Sequence, residues 1–594
     1  MRFPYGICDF FTLINEQYYY ADRSDRIGIL ENAGHQLLFL RPRRFGKSLL
    51  LSMLDNYYDI AKTNQFTNLF GQLKIGQAPT PRHNQYFILR WDFSMVKSYG
   101  TVQEIEAALH EHLNAAIHYF SIHYESYITR NIVLQKGNGI TSLYNVAAAI
   151  SDTPYKLYLL IDEYDNFANE VMTAQPKDYA ALVHGQGIMK TVFKAVKGLS
   201  AGQGIDRVFI TGVSPVVMSD ISSGYNVSKN ISLRPEYNDL CGFHEEEIAK
   251  VLQQVGHVCH LTQAQITEAL EMMRTFYNGY RFNEDAQKLV YNPTLALYFL
   301  DNFNRDCKMP KNMLDDNLAM DRNRIKYIAS LPHGQKVVEQ ALDPQNPLII
   351  SKLADRFGVE DMLYAVKDQP FMASLLYYLG VLTIDAQDMF GEITLRIPNL
   401  VIQRLYIERL QESFLPTYED IETVRSAARQ FYQTGNLQPL CTFMEDRYFA
   451  IYDNRDYRFS NELVIKTAFL ILLFSDLYYI MDSETAIARQ YTDLSMILRP
   501  DMRRYQLLDH LLEFKYLSLQ DLGLSGAKIK PKPVAELLAI PLVSQKLDEA
   551  EQQLQIYRQT LEATYGAKLR LHTHAVVALG FDRLVWRSTA VATI

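Results

Sequence analysis

The segment Arg41-Pro-Arg-Arg-Phe-Gly-Lys-Ser48 constrains this chain most. It lies between an apolar run, His35–Leu40, and a helix-forming one that begins LLLSML. A strand, a tight loop and a helix start together make a phosphate cradle. Gly46 lets the backbone come close to phosphate oxygens, Lys47 reaches the β and γ oxygens, and the Ser48 hydroxyl suits Mg²⁺. The helix start that follows favours an anion. Arg44, Phe45, Gly46, Lys47, Ser48 and Leu49 are the expected nucleotide contacts. The usual pattern has glycine where this chain has Arg41, so the motif alone is degenerate.

Its surroundings strengthen the reading. Candidate strands follow at Tyr86–Phe93, Lys156–Ile161 and Val208–Thr211, separated by helical stretches, as in an α/β sheet. The third strand of the set ends in Asp162-Glu163. Asp162 is expected in the Mg²⁺ shell, and Glu163 is expected to orient or deprotonate water. The last ends in Thr211-Gly-Val-Ser214, whose hydroxyls either sense the γ-phosphate or cap a turn. Two readings also stay open for Arg41, Arg43 and Arg44. They complement phosphates or acids across a subunit interface, or they shape the loop and pair with acids such as Asp165. Arg234 is a candidate arginine finger.

Length and charge limit the rest. A chain of 594 residues exceeds one ordinary core. Its formal net charge of -8 argues against a dedicated non-specific nucleic-acid binder, so any such contact needs local basic clusters. The five Cys form no CxxC pair, which argues against zinc ribbons and disulfide scaffolds and fits a reducing cytosol. No signal peptide is evident, and the apolar stretch Ala468–Phe474 is too short to span a membrane. The expectation is a cytoplasmic protein without membrane contact.

Residues from about 240 to 400 read as mostly helical, for example Glu245–Val255 and Thr262–Tyr277. From about 415 the pattern is mixed again. A helix over Asn461–Met481 precedes strands at Leu494–Leu498 and Leu507–Leu517. Ser525–Pro533 reads as an exposed basic loop, Gln545–Tyr565 as a helix and Thr573–Leu579 as a strand. Glu513 and Lys515 alternate onto one face of their strand, and a hairpin would bring Asp493 beside Glu513. His572 and His574 also share a face, but no nearby residue completes a metal site, so they read as surface or core histidines. The aromatics of FYNGYRF (276–282) read as packing and turn residues.

The segments YYYADRS (18–24), LFLRPRRFGKSLLLSML (38–54), LLIDEYDNF (159–167), FITGVSP (209–215), LCGFHEEEI (240–248), FYNGYRF (276–282), VYNPTLALYFL (290–300), FMASLLYYLG (371–380) and LRIPNL (395–400) run in order through most of the chain. In these it resembles AAA-ATPase-like proteins fused to a PD-(D/E)XK nuclease domain. The form RPRRFGKS is itself typical of that family; Arg23-Ser24 departs from its usual Lys-Thr.

The resemblance implies an α/β multidomain chain. An AAA-type P-loop NTPase would occupy 1–238, a helical lid and linker 239–410, and a PD-(D/E)XK restriction-endonuclease-like α/β domain 411–594. It implies Asp493 and Glu513 as metal ligands and Lys515 as the catalytic lysine. Gln553 and Tyr557, one turn apart on a helix, match an accessory motif. Glu462 and Glu484 are either further acids at the metal or surface acids. The run from Ser483 to Asp493 lacks the glycines usual there. The implied activity is an ATPase, using ATP and Mg²⁺, that controls a Mg²⁺-dependent nuclease acting on DNA or RNA, with DNA favoured, in a homo-oligomer, in defence or mobile-element conflict. The alternative is a nucleotide-switched binding or signalling protein with an inactive nuclease fold.

Overall fold

The computed structural model describes residues 1–166, 182, 187–216, 218, 225–314, 334–343, 346–354, 357, 368–415, 417–449, 462–482, 486–487, 490–491 and 493–590. The chain divides into two compact units. One holds Met1–Lys308 with Leu348–Pro398, and the other holds Asn399–Ile594 with shorter pieces between 309 and 347. The expected boundary at 238 therefore falls inside the first unit. Among the described residues no helix is long and apolar enough to cross a membrane.

The first unit is built on a parallel sheet. Its strands are β1 (Gln36–Leu40), β2 (Tyr86–Asp92), β3 (Lys156–Asp162), β4 (Ile205–Gly212) and the short β5 (Lys229–Asn230), in the order β2-β3-β4-β1-β5. The first four strands are largely apolar runs because helices cover a parallel sheet on both faces; Leu157 to Ile161 are all buried. The phosphate-loop strand β1 and the acid-bearing β3 are not neighbours. β4 lies between them, with Leu40 opposite Gly212 and Ile161 opposite Ile210. Helix α1 (Lys47–Tyr58) follows the loop.

The part expected to be mostly helical also carries strands. It contains α2 (Glu245–Val258), α3 (Gln263–Tyr277) and α4 (Pro293–Asp306), but also an antiparallel sheet. That sheet is made of β6 (Leu348–Ile350), β7 (Thr383–Gln387) and β8 (Ile393–Arg396), in the order β6-β8-β7. Its strands are three to five residues long, too short for a period-2 pattern to stand out from apolar helix. Cys259 and Cys307, just past the ends of α2 and α4, form a disulfide that the scattered cysteine spacing did not announce.

The second unit begins with α5 (Leu400–Phe414), α6 (Tyr418–Thr434) and α7 (Glu462–Leu473). A mixed sheet follows of β9 (Tyr479–Asp482), β10 (Leu494–Leu498), β11 (Asp509–Leu517), β12 (Leu571–Leu579) and β13 (Arg583–Ala590). Its order is β13-β12-β11-β10-β9, and only β11 and β12 are parallel. The long helix α8 (Pro541–Tyr565) makes that crossover. It packs Val543, Leu547, Leu554 and Leu561 onto Leu511, Val577 and Leu579.

Two expectations are corrected here. The helix foreseen to Met481 stops at Leu473, because Tyr479 turns back to donate to the Ser475 carbonyl at 3.0 Å and starts β9. The foreseen loop at 525–533 contains a short helix, Gly526–Ile529, whose Ile529 is buried.

Candidate functional site

Gly46 caps α1 with φ +88°. A Cβ there would meet nothing within 4 Å, so the left-handed backbone, not lack of room, calls for glycine. Lys47, only 3 % exposed, donates back to the carbonyls of Arg41 (3.1 Å) and Pro42 (3.2 Å) and stands 3.5 Å from Glu163 Oε1. Burial, opposed by Lys47 and reinforced by Asp165 and Asp162, raises the Glu163 carboxyl above its ordinary pKa. Its backbone is left-handed at φ 49°, an uncommon setting for a non-glycine residue and frequent at functional turns.

Arg41 serves the loop, not a phosphate. Its guanidinium is buried and donates to the carbonyls of Leu40 (2.8 Å), Ser232 (2.8 Å) and Tyr237 (2.7 Å), while lying 4.0 Å from the Phe282 ring centroid. Arg43 donates to Asn166. The loop's Phe45 is fully buried, edge-on to Tyr280 and Phe282, so its side chain anchors the loop and only its backbone is left for a ligand. The expected packing role of FYNGYRF is thus given a partner. Pro42 in turn sits under Gly380, where an added Cβ would lie 2.5 Å from the proline ring. Arg234 is exposed.

Asp162 is buried at the end of β3. Thr211 Oγ1 on the intervening β4 donates to its Oδ1 at 2.6 Å, and Arg90 Nη2 lies 3.6 Å from its Oδ2. Ser214 donates to Asp165 through both its backbone N–H (2.8 Å) and its hydroxyl (2.9 Å). The two hydroxyls therefore position carboxylates. A cleft of about 270 Å³ runs over Arg44–Leu50 and Glu163, with Tyr5, Ile7, Leu240, Phe243 and Leu297 on its apolar side. Arg23, at the departure from the family pattern, lines it too and holds Glu247 through two hydrogen bonds of 2.5 and 2.8 Å. Sequence reading missed Arg90, the Arg23–Glu247 pair and the N-terminal wall. The YYYADRS and LCGFHEEEI segments held Arg23 and Glu247.

In the second unit, β10 and β11 pair antiparallel and bring Asp493 beside Glu513. The Asp493 N–H lies 3.4 Å from Glu513 Oε2, and Asp493 Oδ2 accepts from Phe514 N–H at 2.8 Å. Lys515 Nζ is 3.0 Å from Glu513 and 3.4 Å from Glu462, on the first turn of α7. Lys466, one turn further along α7, is buried 3.8 Å from Asp493. It went unforeseen, though a lysine inside an otherwise apolar helix was the available signal. Burial and then the Asp493 charge push the Glu513 carboxyl up to about 8. Burial also raises Asp493 and Glu462. Burial works against the charge on Lys515, but Glu513, Glu462 and Asp493 outweigh it and raise its pKa.

Among the described residues no three His, Cys, Asp or Glu side chains form a ready metal cluster. Glu484 lies outside the described residues. On α8, Gln553 has its Oε1 buried with no hydrogen-bond partner among the described residues, and Glu549 one turn earlier feels the Lys515 charge. Tyr557 is buried in the core beneath the sheet.

His574 does have a neighbour. His510 on β11 sits 3.2 Å from it, and the Phe431 ring stacks 4.1 Å from His510. Burial drives His510 well below its ordinary pKa and His574 to about 3.

Residues 4–222 match the family model described as a predicted AAA-ATPase, AAA-ATPase-like. An uncharacterized protein in the vnfD 5′ region of Azotobacter chroococcum mcd 1 is 25% identical over 455 residues, which is 74% of this chain and 74% of that one. Two solved structures show weaker likeness. The Orc1 protein of Aeropyrum pernix, in complex with DNA, is 11% identical with a TM-score of 0.24, covering 65% of this chain and 91% of its own. Cdc6p from Pyrobaculum aerophilum is 12% identical with a TM-score of 0.23, covering 65% and 93%. Over residues 4–222, which span β1, the phosphate loop, β3 and β4, the chain is similar to the predicted AAA-ATPase family.

Proposed function

We propose that this chain binds and hydrolyses ATP at the phosphate loop and thereby controls a metal-dependent centre that cleaves phosphodiester bonds of DNA or RNA. In the first unit, Lys47 and the N–H groups of Gly46 to Leu49 hold the phosphates, and the apolar wall of Tyr5, Ile7, Leu240 and Phe243 takes the base. Ser48 and Asp162 would hold Mg²⁺, which supplies positive charge at the phosphates. Thr211 and Arg90 fix the Asp162 carboxylate, and Glu163, with its raised pKa, takes a proton from the attacking water. The exposed Arg234 suits contact with a neighbouring copy in a homo-oligomer.

The single observation that carries the nuclease reading is the convergence of Asp493, Glu513 and Lys515 on one hairpin. The donor set fits a hard cation. Three carboxylates, counting Glu462, lie near two ammonium groups; burial is the main cause of their raised pKa values, and the Asp493 charge adds to it at Glu513 and Glu462, a repulsion that a divalent ion would relieve. Asp493 and Glu513 would hold Mg²⁺, which polarises the scissile phosphate. Lys515, kept protonated by its acids, orients water and steadies charge on the phosphate. The order helix α7, strands β9, β10 and β11, crossover helix α8, parallel strand β12 supports the restriction-endonuclease-like reading of this unit.

One observation favours a second reading, a nucleic-acid grip without cleavage. Lys466 and Lys515 already balance much of the acidic charge, as in an inert ion-paired core. Titration of Mn²⁺ into the full chain separates the two. The cleaving reading expects one site lost in Glu513→Gln and the ATP-site metal lost in Ser48→Ala. Mn²⁺ uptake unchanged by Glu513→Gln rejects it.

A further inference from the structure

The second unit carries a groove of about 520 Å³, formed by the end of α6, the turn before β9, the turn between β10 and β11, and Lys311. None of the carboxylate-site residues lines it. Leu507 at its rim and Glu513 lie on one nearly extended run, which at about 3.3 Å per residue puts them about 20 Å apart.

Three cations, Lys311, Arg429 and Arg504, face this groove, and among the described residues no acid lines it. All three are exposed. The acids nearby already have other partners. Asp476 is bound by Arg404 at 2.5 Å, Asp501 by Arg499 at 3.0 Å and Asp509 by Arg503 at 3.1 Å. Among the described residues Lys311, Arg429 and Arg504 have no ion pair. In a chain of net charge -8, this is a local concentration of unmatched positive charge.

Aromatic rings lie among these cations. Tyr505 is 48% exposed with the Arg504 guanidinium 5.0 Å from its ring centroid. Tyr478 lies 6.2 Å from the buried Tyr432, whose hydroxyl is spent on the Leu473 carbonyl at 2.8 Å. A bare phosphate would use the cations and leave the rings idle. A nucleotide uses both, its phosphate on the arginines and lysine and its base on a tyrosine face.

We propose that this groove binds single-stranded nucleic acid, holding nucleotides about 20 Å along β11 from the carboxylate pair. Its use as an anchor for a strand being cut rests on the nuclease reading; the binding itself does not.

The test uses the full chain in EDTA, so that cleavage is silent, and a fluorescein-labelled dT15 read by anisotropy. Arg429→Ala/Arg504→Ala and Tyr505→Ala each weaken binding about tenfold or more. The double variant also flattens the salt dependence, by about 0.7 in slope for each phosphate it no longer neutralises. ATP affinity of both variants stays unchanged. Cutting in Mg²⁺ is measured separately with Lys515→Ala, and the groove variants are read in EDTA against wild type alone, so the two readings fail separately. Affinity within twofold of wild type in both groove variants overturns the proposal. Displacement of dT15 by AMP at matched nucleotide concentration assigns the groove to a free nucleotide and overturns the strand. Equally groove-dependent, tighter binding of a 15-base-pair duplex overturns single-strand preference.

Discussion

Arg41 shows why a single position can mislead. Against the usual phosphate-loop pattern it looks like a lost glycine, yet three carbonyls from β1 and the chain after β5 depend on its guanidinium. Arg41→Gly restores the common pattern, and the expected result is a first unit destabilised by about 3 kcal/mol, since buried acceptors lose their donors. Urea unfolding checks this; unchanged or increased stability would refute the structural role. Lys47, Asp162 and Glu163 were legible because their chemistry needs them in that order. The partners of Arg41 were not, because backbone carbonyls carry no sequence signature.

At the scale of elements, β1, β3, β4 and β11 were legible as apolar runs of the right length between turns, and α8 as a helix-period pattern of apolar residues. The small β6–β8 sheet and β9 were not, because three- to five-residue strands look like ends of apolar helices. The parallel pairing of β11 with β12 also hid the neighbour of His574, placing His510 beside it.

That pair fixes a pH dependence. Both imidazoles have folded pKa values below the unfolded value of about 6.5. Below that value the unfolded chain takes up protons that the folded unit refuses, so stability is full above about pH 6.5 and falls toward pH 3. His574 contributes about 1.4 kcal/mol per pH unit across that window, and His510 acts in the same direction. Denaturation followed at Trp586 on β13, in a Trp91→Phe background, is expected to show this slope reduced in His574→Asn. An identical slope in that variant would remove the pair as its source.

At the scale of the whole molecule, the division into two units and the covalent tie in the first of them could not be read from spacing. Cys259 and Cys307 are 48 residues apart, and no local pattern announces their meeting. Closing a loop of that length restricts the unfolded chain by about 4 kcal/mol. Reductant, or Cys259→Ser, is therefore expected to lower the urea midpoint of the first unit and leave that of the second unchanged. A midpoint insensitive to both would show that the link contributes nothing.

The two proposed sites are chemically distinct: one would hold a triphosphate, the other a cation against a phosphodiester. The most direct measurement of their proposed union is the rate at which labelled single- and double-stranded DNA and RNA are cut with Mg²⁺ or Mn²⁺, with and without ATP. The account predicts metal-dependent cutting whose rate changes with ATP, loss of that response in Lys47→Ala, and loss of cutting in Lys515→Ala. Cutting that survives Lys515→Ala, or that ignores ATP in the wild-type chain, would contradict it.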